Sequence, residues 1–297
     1  MMNHYDIAFI GHMSLGTIVP FEGAPIVEKG SPLLYASIAA SRFRAKIAGV
    51  TRIPEGEDYL LEPMRAAGID LFVQPGEIIR YRMVYPNASM DERDAIVEKD
   101  AGPIVTVDCI PACAPCLVHF CWIGARRSQL NLMRALKERG FRLSVDMQNF
   151  MFRAHAETGI VYLKDIPEKK EILSMADFVK LDTHEAELLT GASALQDQAD
   201  ILEALGSSET VITCSEGALA QSNGKSIFEK FTNRSIRGRM GRGDTCMAVY
   251  LACRLDHSIE DSLQLAVAAT SIKLESSGPF SGSIEEVVER INDSNRN

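Results

Sequence analysis

The sequence predicts an α/β fold of three layers, α/β/α, with a mostly parallel central sheet and a small inserted β-sheet lid. Three observations carry this. Short apolar runs of strand length alternate with helix-period segments along most of the 297 residues. Repeated strand–helix units stack into a parallel sheet that helices cover on both faces. The alternation lapses over 78–108, where strand-like runs follow one another with only turn residues between them. Residues 1–297 read as a single domain, with lid segments at approximately 16–30 and 76–107.

Residues 5–11 form the first expected strand, an apolar run ending in glycine. A helix is expected over 33–44, with Pro32 suited to its first turn. Residues 45–51 read as a strand, 59–68 as a helix and 69–74 as a strand. The insert holds strand candidates at 78–86, 95–100 and 103–108. Alternation resumes with a strand at 116–124, a helix at 127–140, a strand at 141–148, a helix at 169–176 and a strand at 177–182. A helix over 183–191 has Thr183 as its N-cap and Gly191 as its stop. After a strand at 209–214, an Asn-Gly turn at 223–224 joins a hairpin. Helices over 244–256, 259–275 and 284–292 complete the chain.

The bulk composition narrows the function. With 46% apolar and 24% charged residues the chain is an ordinary globular protein. A net charge of −9 argues against extended nucleic-acid or anionic-membrane partners. There is no apolar run long enough for a membrane span, and the N-terminus lacks the basic region of a signal peptide. Seven cysteines, an odd number, read as free thiols in a cytoplasmic protein.

The chemistry concentrates at Gly241-Arg242-Gly243-Asp244. A helix start offers unpaired N–H groups and partial positive charge, and glycines let backbone approach an anion closely. Asp244 is then placed to act as a general base. The same residues also suit a plain N-cap on a tight turn, and spacing does not separate the two. Neither a Walker loop nor a dinucleotide fingerprint occurs, so any phosphate site uses another device.

Several segments together resemble the ribokinase-like (PfkB-type) carbohydrate kinases. "GRGDT" with its apolar helix is similar to that family's "GAGD" signature, and "ADFVKLDTHEAELLTG" to its Asn-x-x-Glu segment. "KGSPLLYASIAASRF", "IRYRMVYP" and "VITCSEGALAQSNGK" resemble its glycine motif, lid strand and nucleotide segment. The resemblance implies an ATP-dependent phosphotransferase acting on a hydroxyl of a sugar, polyol or nucleoside. It implies Asp244 as the base and the N–H groups of Gly241, Arg242 and Gly243 as an anion hole. Thr213, Ser215, Gly217, Asp182 and Glu185 would hold the nucleotide, with Glu185 organising Mg2+ through water. Substrate contacts would come from His12, Ser14, Gly16, Gly30, Arg82 and Asn149, and Tyr85 shares the lid strand. The resemblance leaves open a monovalent cation and a homodimer joined through the lid. The chain departs from the family at Arg242, Gly238 and the Thr213-Cys214-Ser215 stretch, and at Gly16 and Leu34, where the usual sugar-binding residues are lost. Those departures motivate an alternative, a non-catalytic nucleotide or metabolite sensor on the same fold.

Cys109, Cys113 and Cys116 share the C-x3-C-x2-C spacing of radical-SAM iron–sulfur enzymes. Their position in mid-chain, with Pro111 and Pro115 between them, favours ordinary free cysteines. Cys246, beside Asp244, is expected to make thiol reagents inhibitory. None of the six histidines has metal-ligand spacing, and His119 in an apolar strand reads as a core residue.

Overall fold

β1 (Ile7–Ile10) is wholly buried, and the computed structural model builds the central sheet outward from it. The structure describes residues 3–87, 94–101, 110, 112–121, 126–294 and 296. β2 (Ser14–Val19), β3 (Ile26–Lys29), α1 (Pro32–Ser41) and β4 (Ile47–Ile53) follow. A 3-10 turn (Asp58–Leu60), α2 (Glu62–Ala66), β5 (Asp70–Pro75), β6 (Ile79–Val84) and β7 (Asp94–Lys99) come next. The middle of the chain holds β8 (Leu117–Phe120), α3 (Arg126–Glu138), β9 (Arg142–Asp146), α4 (Gln148–Met151), β10 (Phe152–Ala154) and β11 (Val161–Leu163). Then come α5 (Lys169–Met175), β12 (Phe178–Asp182), α6 (Thr183–Thr190), α7 (Leu195–Ala204), β13 (Thr210–Thr213), β14 (Gly217–Ser222) and β15 (Lys225–Lys230). The chain closes with α8 (Arg242–Cys253), α9 (Ile259–Leu274) and α10 (Ile284–Ser294).

Among the described residues the main sheet runs β15-β14-β13-β12-β9-β8-β1-β4-β5. It is parallel from β5 to β13, and the β14–β15 hairpin adds two antiparallel strands at one edge. One face packs on α1, α8 and α9 through Leu33, Ala36, Met247, Leu251 and Leu263. The other packs on α3, α5, α6 and α7 through Met133, Leu136, Leu173, Leu189 and Leu202. Fully buried strands between two helical layers explain the unbroken apolar runs in the sequence. The expected lid is a separate four-stranded sheet, β3-β2-β6-β7.

Several details differ from the sequence reading. The single helix expected over 59–68 is a 3-10 turn and a five-residue helix, because Pro63 has no N–H to carry a continuous ladder and stands in the first turn of α2. Asp182, not Thr183, caps α6. It has the extended backbone of a cap, and Glu185 closes a reciprocal capping box with it. The β2–β3 and β10–β11 pairs, α4 and α7 had no strong periodicity to announce them. The strand expected over 103–108 and Cys109 lie outside the described residues. Cys113 bridges to Asn3 at the N-terminal edge of the sheet, and burial pushes the neighbouring Cys116 thiol up to about 12. His119 is buried and hydrogen-bonded to Ser144 at 2.8 Å. Among the described residues no helix is long and apolar enough to cross a membrane.

α8 is anchored at its far end. Tyr250 donates to Glu209 Oε1 at 2.6 Å, and Arg254 meets both carboxylate oxygens at 2.8 and 3.1 Å. Glu209 immediately precedes β13, so this cluster ties the helix to that strand. Removing one partner strands a largely buried charge. Arg254→Met is expected to cost about 2–3 kcal/mol of stability, read by urea unfolding.

Candidate active site

The site forms where parallel strands end. Asp146 closes β9, Asp182 closes β12 and Thr213 closes β13. Lys180 and Asp146 are direct neighbours across the sheet, with Nζ 2.9 Å from Oδ2. Asp182 and Thr213 are paired in the same way one strand further on. Lys180 is buried among apolar strand residues, so its ammonium needs this partner. Asp146, Glu185 and Asp244 keep it protonated despite its burial.

The glycine turn lies over this floor. Gly241 has φ +76°, and a Cβ there would sit 2.3 Å from the Tyr35 ring. Only glycine allows both the left-handed turn and this contact. A Cβ on Gly243 would come within 3.0 Å of Lys180 Nζ, so the helix start approaches the lysine because that side chain is missing. The helical ladder begins with Thr245 N–H donating to Gly241 O at 2.9 Å. The N–H groups of Gly243 and Asp244 precede it. The expected three-residue anion hole needs one correction. Arg242 N–H donates to Arg239 O at 3.3 Å, closing the turn rather than facing a ligand. The Arg242 guanidinium lies over the Phe231 ring, 5.9 Å from its centroid.

Asp244 stands in the first turn of α8 and lines a cavity of about 450 Å³. Burial pushes its carboxyl up to about 6, against the opposing pull of Lys180 and Lys273. It is therefore a base poised just below neutral pH. Burial also raises Glu185, against the pull of Lys180.

The cavity brings together Asp244, Gly241, Arg242, Gly243, Asp182, Thr213, Ser14 and Gly30 from the expected set. It adds Lys180, Asp146, Gln148, Tyr35, Tyr81 and Arg239. Lys180 and Asp146 were detectable as charges inside otherwise apolar strands.

Other candidates stand elsewhere. Glu185 accepts from Gln148 Nε2 and from Asp182 N, both at 2.8 Å, and braces the floor from beneath. Ser215 lines a second cavity with Thr183 and Phe228. Gly217 lies against the backbone of Glu229, where a Cβ would meet its carbonyl oxygen at 2.0 Å. His12 is buried, and Gly16 lies under the Tyr81 ring. Asn149 donates to the carbonyls of Phe120 and Asp146.

Arg82 is corrected by strand parity. Tyr81, Met83 and Tyr85 line the cavity, so alternate residues of β6 point the other way. Arg82 is exposed there and pairs with Glu98 at 2.6 Å. Cys246 is also corrected. It is fully buried, with its thiol pushed up to about 11 by burial, so it is shielded from thiol reagents.

Residues 146–286 match the family described as pfkB family carbohydrate kinase, a span that holds the strand-end floor and the glycine turn. The protein is a kinase with a pfkB-type segment. The kinase is 27% identical over 259 residues to the cytidine kinase of Thermococcus kodakarensis, covering 83% of this chain and 87% of that protein. Its fold matches a pyrophosphate-dependent kinase in the ribokinase family, solved with a pyrophosphate analog and myo-inositol. That match has a TM-score of 0.84, 24% identity, and coverage of 95% and 99% of the two chains. Arabidopsis thaliana ribokinase, solved with ribose and ATP, matches with a TM-score of 0.75, 14% identity, and 97% and 99% coverage. The match to kinases over the strand-end floor and the glycine turn favours an enzyme over the sensor alternative.

The raised Asp244 carboxyl makes a stability prediction. In the unfolded chain the group titrates near its ordinary 3.8, and in the fold at about 6. Between these values the unfolded chain loses its proton first, so stability falls as pH rises, and the full cost is present above about 6. Asp244→Asn is therefore expected to melt above the wild type at about pH 7.5, with the gap closing by about pH 4. Differential scanning calorimetry across this range reads the result.

Proposed function

We propose that this kinase transfers the γ-phosphoryl group of Mg2+-ATP to a hydroxyl of a nucleoside-type acceptor. The observation that carries the reading is the Asp244 carboxylate, held in the cavity beside a glycine-lined helix start and the Lys180 ammonium. Asp244 accepts the hydroxyl proton as the acceptor oxygen bonds to phosphorus. The bond from phosphorus to the bridging oxygen breaks, and ADP leaves with that electron pair. The N–H of Gly243 and the Lys180 ammonium meet the charge on the transferred group.

Among the described residues no cluster of three or more His, Cys, Asp and Glu side chains is arranged to hold a metal by itself. Mg2+ that arrives on phosphate keeps most of its water and needs only one or two carboxylates. Asp146 and Asp182 line the cavity and would hold that water shell, with Glu185 acting through Asp182. When bound, Mg2+ neutralises phosphate charge.

The two sides of the cavity differ, which supports the acceptor class. Ser14, Gln148 and the carboxylates are polar, whereas Tyr81, Met83, Tyr85, Phe152, Val161 and Leu163 offer aromatic and aliphatic surface. A ribose fits the polar side and a base the apolar one, where stacking on an aromatic ring contributes about 1–3 kcal/mol. Similarity to a cytidine kinase supports the same class.

A second donor, inorganic pyrophosphate, is favoured by Arg239 and Arg242 lining the cavity and by the likeness to a pyrophosphate-dependent kinase. Exposed Phe21, Ile26 and Val27 on the lid support a homodimer through it, and the free cysteines support a cytoplasmic setting.

Asp244→Asn should lower kcat about 10³-fold while leaving acceptor KM within a few-fold. The wild-type kcat/KM should rise with pH on a limb centred at about 6. Nucleosides should exceed inositols and free sugars in a coupled ADP assay, and a preference for inositols would refute the acceptor class. Arg242→Ala should raise the KM for pyrophosphate more than that for ATP if pyrophosphate is the donor.

A further inference from the structure

Lys273 lies near the end of α9 and is 1% exposed. Among the described residues its ammonium pairs with no carboxylate at contact distance. It donates to the backbone carbonyl of Gly238 at 2.5 Å and to that of Met240, and lies 5.3 Å from the Tyr35 ring centroid. These two carbonyls belong to the loop that runs directly into Gly241 and the helix start above Asp244. We propose that Lys273 is a tethered cation that positions the phosphate-binding turn, so that this kinase needs no monovalent metal ion.

The loop around the ammonium is built for this contact. Arg237 and Gly238 donate their N–H groups to Leu274 O at 2.8 and 3.1 Å, which brings the loop onto the C-terminal end of α9. A Cβ on Gly238 would lie 1.9 Å from Ser276 O, so only glycine allows this approach. The approach gathers carbonyl oxygens at the negative end of a helix, where they would repel one another without a cation among them. Carbonyl oxygens that replace a hydration shell hold potassium in other settings, and an ammonium group fills the same role. Here the charge is covalently attached, so its binding does not depend on ion concentration.

The effect on the active site follows from peptide geometry. Among the described residues every peptide is trans, and in a trans peptide the carbonyl and the following N–H point in opposite directions. Holding the Met240 carbonyl on Lys273 therefore turns the Gly241 N–H to the other side of that peptide. Tyr35 reinforces the arrangement. Its ring lies under Gly241, and its hydroxyl donates to Glu28 at 3.0 Å. Burial brings Lys273 down to about 8, with Glu28 and Asp244 pulling upward, so it remains charged at neutral pH. Lys273 touches the turn rather than the reacting atoms and is a positioning residue.

The inference rests on the phosphotransfer reading, and the test separates the two. Rates of wild type, Lys273→Met and Lys273→Ala are measured in choline, sodium, potassium, ammonium and methylammonium chloride at constant ionic strength. Binding of inorganic pyrophosphate and ATP is titrated calorimetrically in the same salts. The wild type is expected to be indifferent to the cation in both readouts. Lys273→Met should lose about 10²-fold in kcat, the scale of one misplaced anion-hole donor, with acceptor KM nearly unchanged and no recovery in any salt. Lys273→Ala should recover at least about tenfold in ammonium or methylammonium but not in choline, because the space left by the side chain admits a small cation. Potassium stimulation of the wild type overturns the proposal. So does a Lys273→Met enzyme with wild-type kcat, or a folded Lys273→Ala enzyme that no small cation restores. If Lys273→Ala does not fold, the wild-type salt series and Lys273→Met decide the matter. If no acceptor is turned over, the phosphotransfer reading fails, and the calorimetric series still decides the role of Lys273.

Discussion

Everything at the cavity depends on keeping one carboxylate charged where water is scarce. Burial alone would favour neutral Asp244. Two buried lysines oppose it. Lys180 rises from the sheet beneath, and Lys273 acts through its field from the helix behind. Both bear on the group without removing it from the cavity. The result is a base that titrates near 6 rather than one lost to a salt bridge or to protonation. Lys180 in turn is held by the Asp146 carboxylate, and the Asp182 carboxylate accepts the Glu185 N–H.

The glycines of the turn make these distances reachable. Gly241 admits the Tyr35 ring, Gly243 admits Lys180, and Gly238 admits the backbone of Ser276, just past the end of α9. Each is a place where another element needs the volume that a side chain would fill. The turn is thus clamped from three directions by packing, and its backbone donors are set before any ligand arrives. Such preorganisation is what phosphoryl transfer asks of a protein, since little of its chemistry is covalent to the enzyme.

The lid has a separate logic. Strand alternation divides β6 into an aromatic face that covers the cavity and a charged face that pairs with β7 and the surrounding surface. The covering face presents apolar area and π surface rather than many hydrogen-bond donors. That end of the cavity thus offers shape and stacking surface, while the polar side chains gather at the strand ends.

Read alone, the sequence determined the layer architecture, because apolar periodicity is a local property that burial on two faces writes into every strand. It also marked out the proposed base and its glycine turn, since Gly241 to Asp244 are contiguous and need no tertiary partner to be recognised. Capping was legible to within one residue at Asp182. The partners of the turn were decided only in three dimensions. Tyr35, Lys180 and Lys273 come from elements far apart in the chain, and a lone lysine in an apolar segment does not say what it neutralises. The fold also decided which lid residues see the ligand. Tyr81 and Arg82 are adjacent on one strand, and the two-residue pleat sends them to opposite faces. Local pattern fixes what an element is, and long-range packing fixes what its side chains meet.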